Sequence, residues 1–261
     1  MNTNTKDARV RLSVVIIAKN EEENIIDCIK SVIWVDEIVL IDTGSTDNTL
    51  EIVKNFKIKA IRYKGKGSFS EWRDHGRKEA NGEWIFYLDA DERVTPLLRR
   101  ELLLVITQNK FAAYARPRRN FIFNKEFKFS GQYPDYNIRL FKSSGLIGWK
   151  GYLHEEPIFK GDLGYLKNPV VHLKHNNLSE MVEKTNDWSE IEAKLMYEAG
   201  HPPMNISRFI SAILREFSVR MVRQKAFLDG AEGVMYAMYQ VYSRFISYAK
   251  LWEKQLKENK S

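Results

Sequence analysis

The chain has 261 residues, 44% of them hydrophobic and 29% charged, which excludes a disordered polymer and suffices for one large or two small cored domains. Cys28 is the single cysteine, so no internal disulfide exists, as fits a reducing compartment. Residues 1–11 are polar and lack the apolar core of a secretory signal. No run of about 18 apolar residues suggests a membrane span, and the net charge of +7 suits anionic partners.

In chain order, Leu12–Ala18 is an apolar run that predicts a buried strand. Asn20 stands where a helix cap belongs, followed by Glu21, Glu22 and Glu23 in the first turn. Ile25, Ile26, Ile29, Val32 and Ile33 recur at helical spacing. Glu37–Asp42 predicts a second strand, and Thr43-Gly44-Ser45-Thr46-Asp47 a turn into a helix with Leu50, Val53 and Phe56 on its apolar face. Residues 59–63 predict a third strand, 70–81 a helix and 83–88 a fourth strand. That strand runs into Asp89-Ala90-Asp91-Glu92, and Thr95-Pro96 opens the next helix, with proline at its first position.

Strand and helix alternating over short links predict an α/β fold, a Rossmann-like, mostly parallel sheet flanked by helices. In such sheets ligands bind at the carboxyl ends of the strands, where the polar residues above cluster. The middle, 112–173, is rich in aromatics, glycine and proline, with strand-like runs at 138–142 and 169–173. From 179 onward the pattern is helical: 179–199, 205–227 and 231–257, with Gly200-His201-Pro202-Pro203 a clear break. The expected organisation is a sheet domain over 1–176, made of the alternating part at 12–96 and the irregular part at 112–176, then a helical region over 177–261.

Asp89-x-Asp91 is the strongest chemical signal. Residues two apart on an extended segment share a side, and two such carboxylates can hold a hard cation, Mg²⁺ or Mn²⁺. A cation on a diphosphate neutralises the charge that grows as a sugar–phosphate bond breaks. On a surface turn the same pattern is merely solvated.

Leu12–Glu22, the Glu37–Asp47 stretch, Trp72-Arg73-Asp74-His75-Gly76 and Leu88-Asp89-Ala90-Asp91-Glu92 occur together in an order and spacing that resemble family 2 glycosyltransferases of the GT-A fold. The resemblance implies that Ala18, Asn20 and Glu21 line a nucleoside pocket and Asp42 contacts the base. It also implies that Arg73 lies near the donor diphosphate or base, Asp89 touches the ribose or sugar side and Asp91 binds the divalent cation. Trp72 and Asp74 replace the alanine and asparagine usual beside that arginine. Asn20 and Glu21 could equally cap a helix, and Asp42 and Ser45 could equally build the turn.

Tyr152-Leu153-His154-Glu155, Val171-His172, Asp187-Trp188, Glu192-Ala193, the 227–233 segment and the 248–253 segment resemble lipopolysaccharide core glycosyltransferases of the same family. That likeness implies an inverting transfer of a hexose from a UDP-sugar to a glycolipid or polysaccharide hydroxyl. Inversion needs one carboxylate to take the acceptor's proton. Glu155 is the candidate, with Asp135 the alternative. His172 could be a further metal ligand or a hydrogen-bonded structural histidine. Arg116–Phe123 interleaves basic and aromatic residues as single-stranded nucleic-acid binders do. No nucleic-acid motif accompanies it, so no nucleic-acid partner is expected, and a surface for a phosphorylated glycolipid or a solvated loop are the competing readings.

Ile206, Phe209, Ile210, Ile213 and Phe217, flanked by arginines, form an amphipathic stripe suited to an anionic membrane surface or to packing. The implied location is cytoplasmic, peripheral on the inner membrane face. A nucleotidyltransferase and a non-catalytic nucleic-acid or membrane-binding module are the rivals. The former usually carries a glycine-rich phosphate loop, and Leu12–Glu22 contains no glycine.

Overall fold

The computed structural model describes residues 11–65, 67–151, 155–175 and 177–258. Most of the polar amino terminus and the Tyr152-Leu153-His154 part of the second resemblance lie outside the described residues. Chain packing separates two units: one runs through Arg118 and adds Tyr136–His172, the other comprises Arg119–Asp135 and Leu173–Ser261. The helical carboxyl-terminal region is thus joined by a piece of the middle segment expected with the sheet domain.

The elements of the first unit are, in chain order, β1 (Leu12–Ala18), α1 (Ile25–Val32), β2 (Glu37–Asp42), α2 (Thr49–Val53), β3 (Lys59–Arg62), α3 (Phe69–Glu79), β4 (Trp84–Asp89), β5 (Glu92–Arg93) and α4 (Pro96–Gln108). Strand β6 (Ala113–Ile122) leads out to the short β7 (Lys125–Glu126). Then follow β8 (Asp135–Lys142), β9 (Leu146–Lys150), β10 (Glu156–Phe159), β11 (Leu163–Tyr165) and β12 (Val170–His175). The sheet order is β3-β2-β1-β4-β8-β6-β12-β5. It is parallel across β3, β2, β1 and β4, and antiparallel at β4–β8 and β12–β5. This is the expected GT-A-like α/β sheet, parallel in the half formed by β3, β2, β1 and β4.

Alternation along the central strands explains why both faces are covered. Val14 and Ile16 of β1, with Leu40 and Phe86, pack on Ile25, Ile29, Leu98 and Leu102 of α1 and α4. Val15, with Val39, Ile41, Ile85 and Tyr87, faces the other way, onto Trp72, Leu146 and Trp149. All seven residues of β1 are buried, as a central parallel strand requires.

Two local expectations are corrected. Asn20 does not cap α1: its backbone is left-handed at φ 56°, whereas a cap is extended, and the helix begins after Asn24. A turn intervenes, in which Asn24 N–H and Ile25 N–H donate to the Glu21 carbonyl. The helix expected over 205–227 is also shorter.

The second unit holds α5 (Leu178–Glu198), α6 (Ile206–Phe217) and α7 (Gly230–Glu258). After α6 the chain widens into one π turn over Ser218–Arg223, passes a left-handed Lys225 and tightens over Ala226–Asp229. The buried Asp229 explains the break. Its carboxylate accepts from Lys128 N–H, Phe129 N–H and the Ser130 hydroxyl, which holds the chain in a turn that a continued helix would not permit. Helix α5 buries Met181, Thr185, Ser189 and Ala193 at four-residue spacing, and Tyr239 of α7 donates to the Met181 carbonyl.

Candidate functional site

The loops after β1 and β2 are tied to each other by side chain to backbone bonds. Asn20 N–H donates to Ser45 Oγ at 2.9 Å, and Asn20 Oδ1 accepts from Thr46 N–H at 2.8 Å. Glu21 N–H donates to Thr49 Oγ1 at 2.8 Å, Glu22 N–H to Asp47 Oδ2 at 3.1 Å, and the Glu22 carboxylate accepts from Asn48. Ala18, at the end of β1, offers its carbonyl to Thr43 N–H. Asp42 is fully buried: it accepts from Gly44 N–H and Ser45 N–H and pairs with Arg62 Nε at 3.6 Å. These four expected nucleoside-side residues therefore share one loop cluster. Within it, Asp42 builds the turn, and its carboxylate is engaged by the loop itself.

At the end of β4, Asp89 receives Arg73 Nη2 at 2.9 Å. Arg73 sits on α3, whose start is set by a capping box between Ser68 and Glu71. The guanidinium is 1% exposed and lies 5.2 Å from the Trp149 ring centre and 5.7 Å from that of Tyr87. Its Nε donates to Glu155 Oε1 at 3.1 Å, and Arg139 Nη2 donates to the same oxygen at 3.1 Å. Arg73, Asp89 and Glu155, far apart in sequence, are thus brought together, with Arg139 as a fourth member.

Burial pushes the Asp89 carboxyl up, but the Arg73, Arg139 and Arg116 charges outweigh it and hold it far below the usual carboxylate range. Burial opposes the Arg73 charge, while Asp89 and Glu155 outweigh it and raise the guanidinium pKa. Burial and the neighbouring Arg73 bring Arg139 down to about 10. Arg73 Nη1 and Arg139 Nε are buried without a hydrogen-bond partner among the described residues. Such donors are costly to leave unmet, so an anionic ligand would find them ready.

The Asp-x-Asp pair does not act as two like carboxylates on one extended face. The strand ends at Asp89, and Asp91 lies on the turn that follows. Asp89 goes to the arginines, whereas Asp91 Oδ2 stands 3.3 Å from His172 Nε2. Among the described residues no group of three histidine, cysteine or acidic side chains is placed to hold a metal. Asp91 could supply a carboxylate, and His172 an imidazole, to a divalent cation that takes its remaining ligands from substrate phosphates and water.

Glu92, beside them, is fully buried. It accepts from Asp89 N–H at 3.1 Å, forms a close ion pair with the buried Arg116, and has Arg118 Nη1 3.8 Å away. In the β5–β12 pairing it is the register partner of His172.

This corrects the reading of 116–123 as a basic surface. Arg116 is interior, and Arg119 is paired with Glu126 at 2.6 Å. Asp135, the alternative base, belongs to the second unit, where it accepts from Asn120. Sequence reasoning missed Arg139, Trp149 and Glu92, of which only Glu92 carried a signal, as the residue directly after the Asp-x-Asp pair; Arg116 was singled out, but for the surface rather than the interior.

A family model described as "Glycosyl transferase family 2" matches residues 13–157. The chain is 28% identical over 262 residues to the lipopolysaccharide core biosynthesis glycosyltransferase LpsC of Rhizobium meliloti, covering 94% of this chain and 93% of that protein. An uncharacterized glycosyltransferase of Rickettsia bellii is 26% identical over 275 residues, covering 95% of this chain and 88% of that one. Among solved structures, S. aureus TarS 1–349 in complex with UDP-GlcNAc superposes with a TM-score of 0.49 at 14% identity, covering 95% of this chain and 92% of that one.

Proposed function

Because the chain belongs to glycosyl transferase family 2, we propose that it is an inverting, metal-assisted hexosyltransferase that moves a sugar from a UDP-sugar to a hydroxyl of a glycolipid or polysaccharide, with lipopolysaccharide core as the acceptor class. The observation that carries this reading is the Arg73, Asp89, Glu155 and Arg139 cluster at the carboxyl end of β4, one turn from the Asp91 and His172 pair. The full-length likeness to LpsC supports the acceptor class. An acceptor carried by lipid suits a cytoplasmic protein peripheral to the inner membrane face. Among the described residues no helix is long and apolar enough to cross a membrane.

In this reading the loop cluster from Ala18 to Glu21, shaped by Asp42, receives the nucleoside. Asp91 and His172 would hold the divalent cation, which when bound supplies charge neutralisation at the diphosphate. Asp89, aligned by Arg73, faces the sugar side. The unpaired buried N–H groups of Arg73 and Arg139 are available to donor oxygens. Glu155 would take the acceptor proton. Both arginines engage its Oε1, and its Oε2 has no partner among the described residues, so one oxygen is oriented and the other is left for the proton. In-line attack then expels UDP with inversion at the anomeric carbon.

The test is Asp91→Asn, close to isosteric but without the ligand charge. Sugar transfer from UDP-sugars should be nearly abolished while the melting temperature stays at the wild-type value. Full activity in a folded Asp91→Asn protein would overturn the metal assignment.

A further inference from the structure

Within the helical unit, α6 separates its charge from its exposed apolar residues. Arg208 and Arg215 are seven residues apart, so at about 100° per residue they share one side of the helix. Ile206, Ile210 and Leu214 stand roughly 150° round from them. The arginines instead border a cavity of about 480 Å³ between α6, the His201-Pro202 turn and α7. Its polar lining is His201, Ser207, Arg208, Ser211, Arg215 and Tyr248, with no acidic residue.

Hydrogen bonds give this cavity its shape. Gln255 of α7 accepts from Met204 N–H at 2.8 Å and donates to the His201 carbonyl at 3.1 Å, which fixes the turn against α7. Arg208 Nε donates to the Pro203 carbonyl at 3.1 Å, so its guanidinium is aimed while its two terminal nitrogens stay available. Arg215 Nη2 reaches Tyr248 Oη at 3.5 Å, and the Tyr248 ring centre lies 5.6 Å from that of His201. Tyr248 keeps its own hydroxyl proton to donate. The exposed Ser211 falls between the two arginines in the chain, and its hydroxyl makes no hydrogen bond among the described residues.

The charge in the cavity is uncompensated. Arg208 and Arg215 are exposed and form no ion pair among the described residues. The one acid of α6, Glu216, is taken by Arg220 at 2.7 Å and Arg244 at 3.7 Å. Two cations on one concave wall attract an anion. A guanidinium fork matches a carboxylate or a phosphate, but here two forks approach from positions about 10 Å apart along the helix, with hydroxyl donors between them. A carboxylate offers two oxygens in one plane. A phosphate offers oxygens in several directions and can answer both forks together.

We propose that this cavity is a binding site for a phosphate group, held by Arg208 and Arg215 with the Ser211 and Tyr248 hydroxyls between them. Every residue it uses belongs to the helical unit, so it stands independently of the donor site. The same clamp accepts free phosphate, a phosphomonoester or the phosphate of a lipid headgroup, and the experiment separates the three.

The full chain is titrated calorimetrically with inorganic phosphate and with glycerol 3-phosphate, in the presence of chelator and at ionic strength held constant with sodium chloride. Binding to phosphatidylglycerol vesicles is measured alongside. Wild type should bind saturably at one site. Arg208→Gln with Arg215→Gln should weaken binding more than about tenfold, and Ser211→Ala by about threefold. UDP binding and melting temperature should stay at wild-type values, because the altered side chains are exposed and lie outside the donor site. The tightest arginine-dependent ligand identifies the source: inorganic phosphate the free anion, glycerol 3-phosphate a phosphomonoester, the vesicles a headgroup. Absence of saturable binding to all three, or undiminished binding by the Arg208/Arg215 variant, would overturn the proposal. So would chloride binding as tightly as phosphate, which would reduce the cavity to a diffuse positive field.

Discussion

Arg73 is a buried charge held by its neighbours. Its guanidinium is buried between two aromatic rings and answers two carboxylates. Removing one partner from a buried charge cluster strands the others, typically at a cost of 3–5 kcal/mol. Arg73→Met should therefore destabilise the first unit by about that amount, read as a shift in the denaturant midpoint. A midpoint unchanged from wild type would mean that Asp89 and Glu155 do not depend on it.

Asp89 adds a pH signature. Its folded pKa is depressed, so its contribution is present above the unfolded carboxylate value near 4 and is lost as pH falls below that value. Asp89→Asn should flatten the fall in melting temperature below about pH 5. If the variant and wild type show parallel acid profiles, the arginine clasp contributes nothing to this dependence.

Glu155→Gln separates chemistry from binding. The amide keeps an acceptor for the arginines but cannot take a proton. Turnover should drop by roughly 10² to 10⁴ while UDP affinity holds. If UDP affinity collapses together with activity, Glu155 belongs to the donor site; if both survive, Glu155 is not the base.

At the scale of elements, α3 must lie close to β1 to deliver Arg73 to Asp89. Gly76 makes this possible: a Cβ there would stand 2.3 Å from Val15 Cγ1, in the core. Gly76→Ala should destabilise by about 1–3 kcal/mol through overpacking. Adding Val15→Ala should recover part of that loss, a coupling that a double-mutant cycle in urea measures. Additive effects would show that the helix is held off the sheet by something else. The β5–β12 pairing does similar work on the other side. It sets Glu92 opposite His172, and the Glu92 carboxylate grips Asp89 N–H, so the short strand fixes both halves of the Asp-x-Asp turn.

For the whole molecule, the proposed cation and nucleotide should act as a linked pair. A ligand at 100 times its dissociation constant stabilises the folded state by about 2.7 kcal/mol. UDP with Mn²⁺ should therefore raise the melting temperature by several degrees, and much less with chelator. Equal stabilisation with and without the metal would remove the cation from the nucleotide site. The two units make domain-resolved probes useful here: the shift should appear in the sheet unit that carries Asp91 and Asp42.

The parallel half of the sheet is legible along the chain. Central parallel strands must be apolar on both faces, so Leu12–Ala18 and Glu37–Asp42 are legible as strands with the bounds they have in the structure. Helix starts were legible where a short polar side chain precedes an apolar period, as at Thr95-Pro96 and Asn205. The motif order also revealed the family, because motif residues near the strand ends recur at fixed spacing.

Tertiary structure decided which polar groups meet. Arg139 reads as an ordinary residue in a β-rich stretch, and Glu155 as a candidate base with no arginine in view; only the folded sheet brings both to Arg73. Arg116 looked like surface charge, and only the fully buried Glu92 makes it an interior ion pair. Asn20 looked like a cap, and its loop turned it toward Thr46. The physical reason is the same in each case. Hydrophobic periodicity is local and can be read along the chain, whereas a buried charge or a loop hydrogen bond depends on partners that only three dimensions supply.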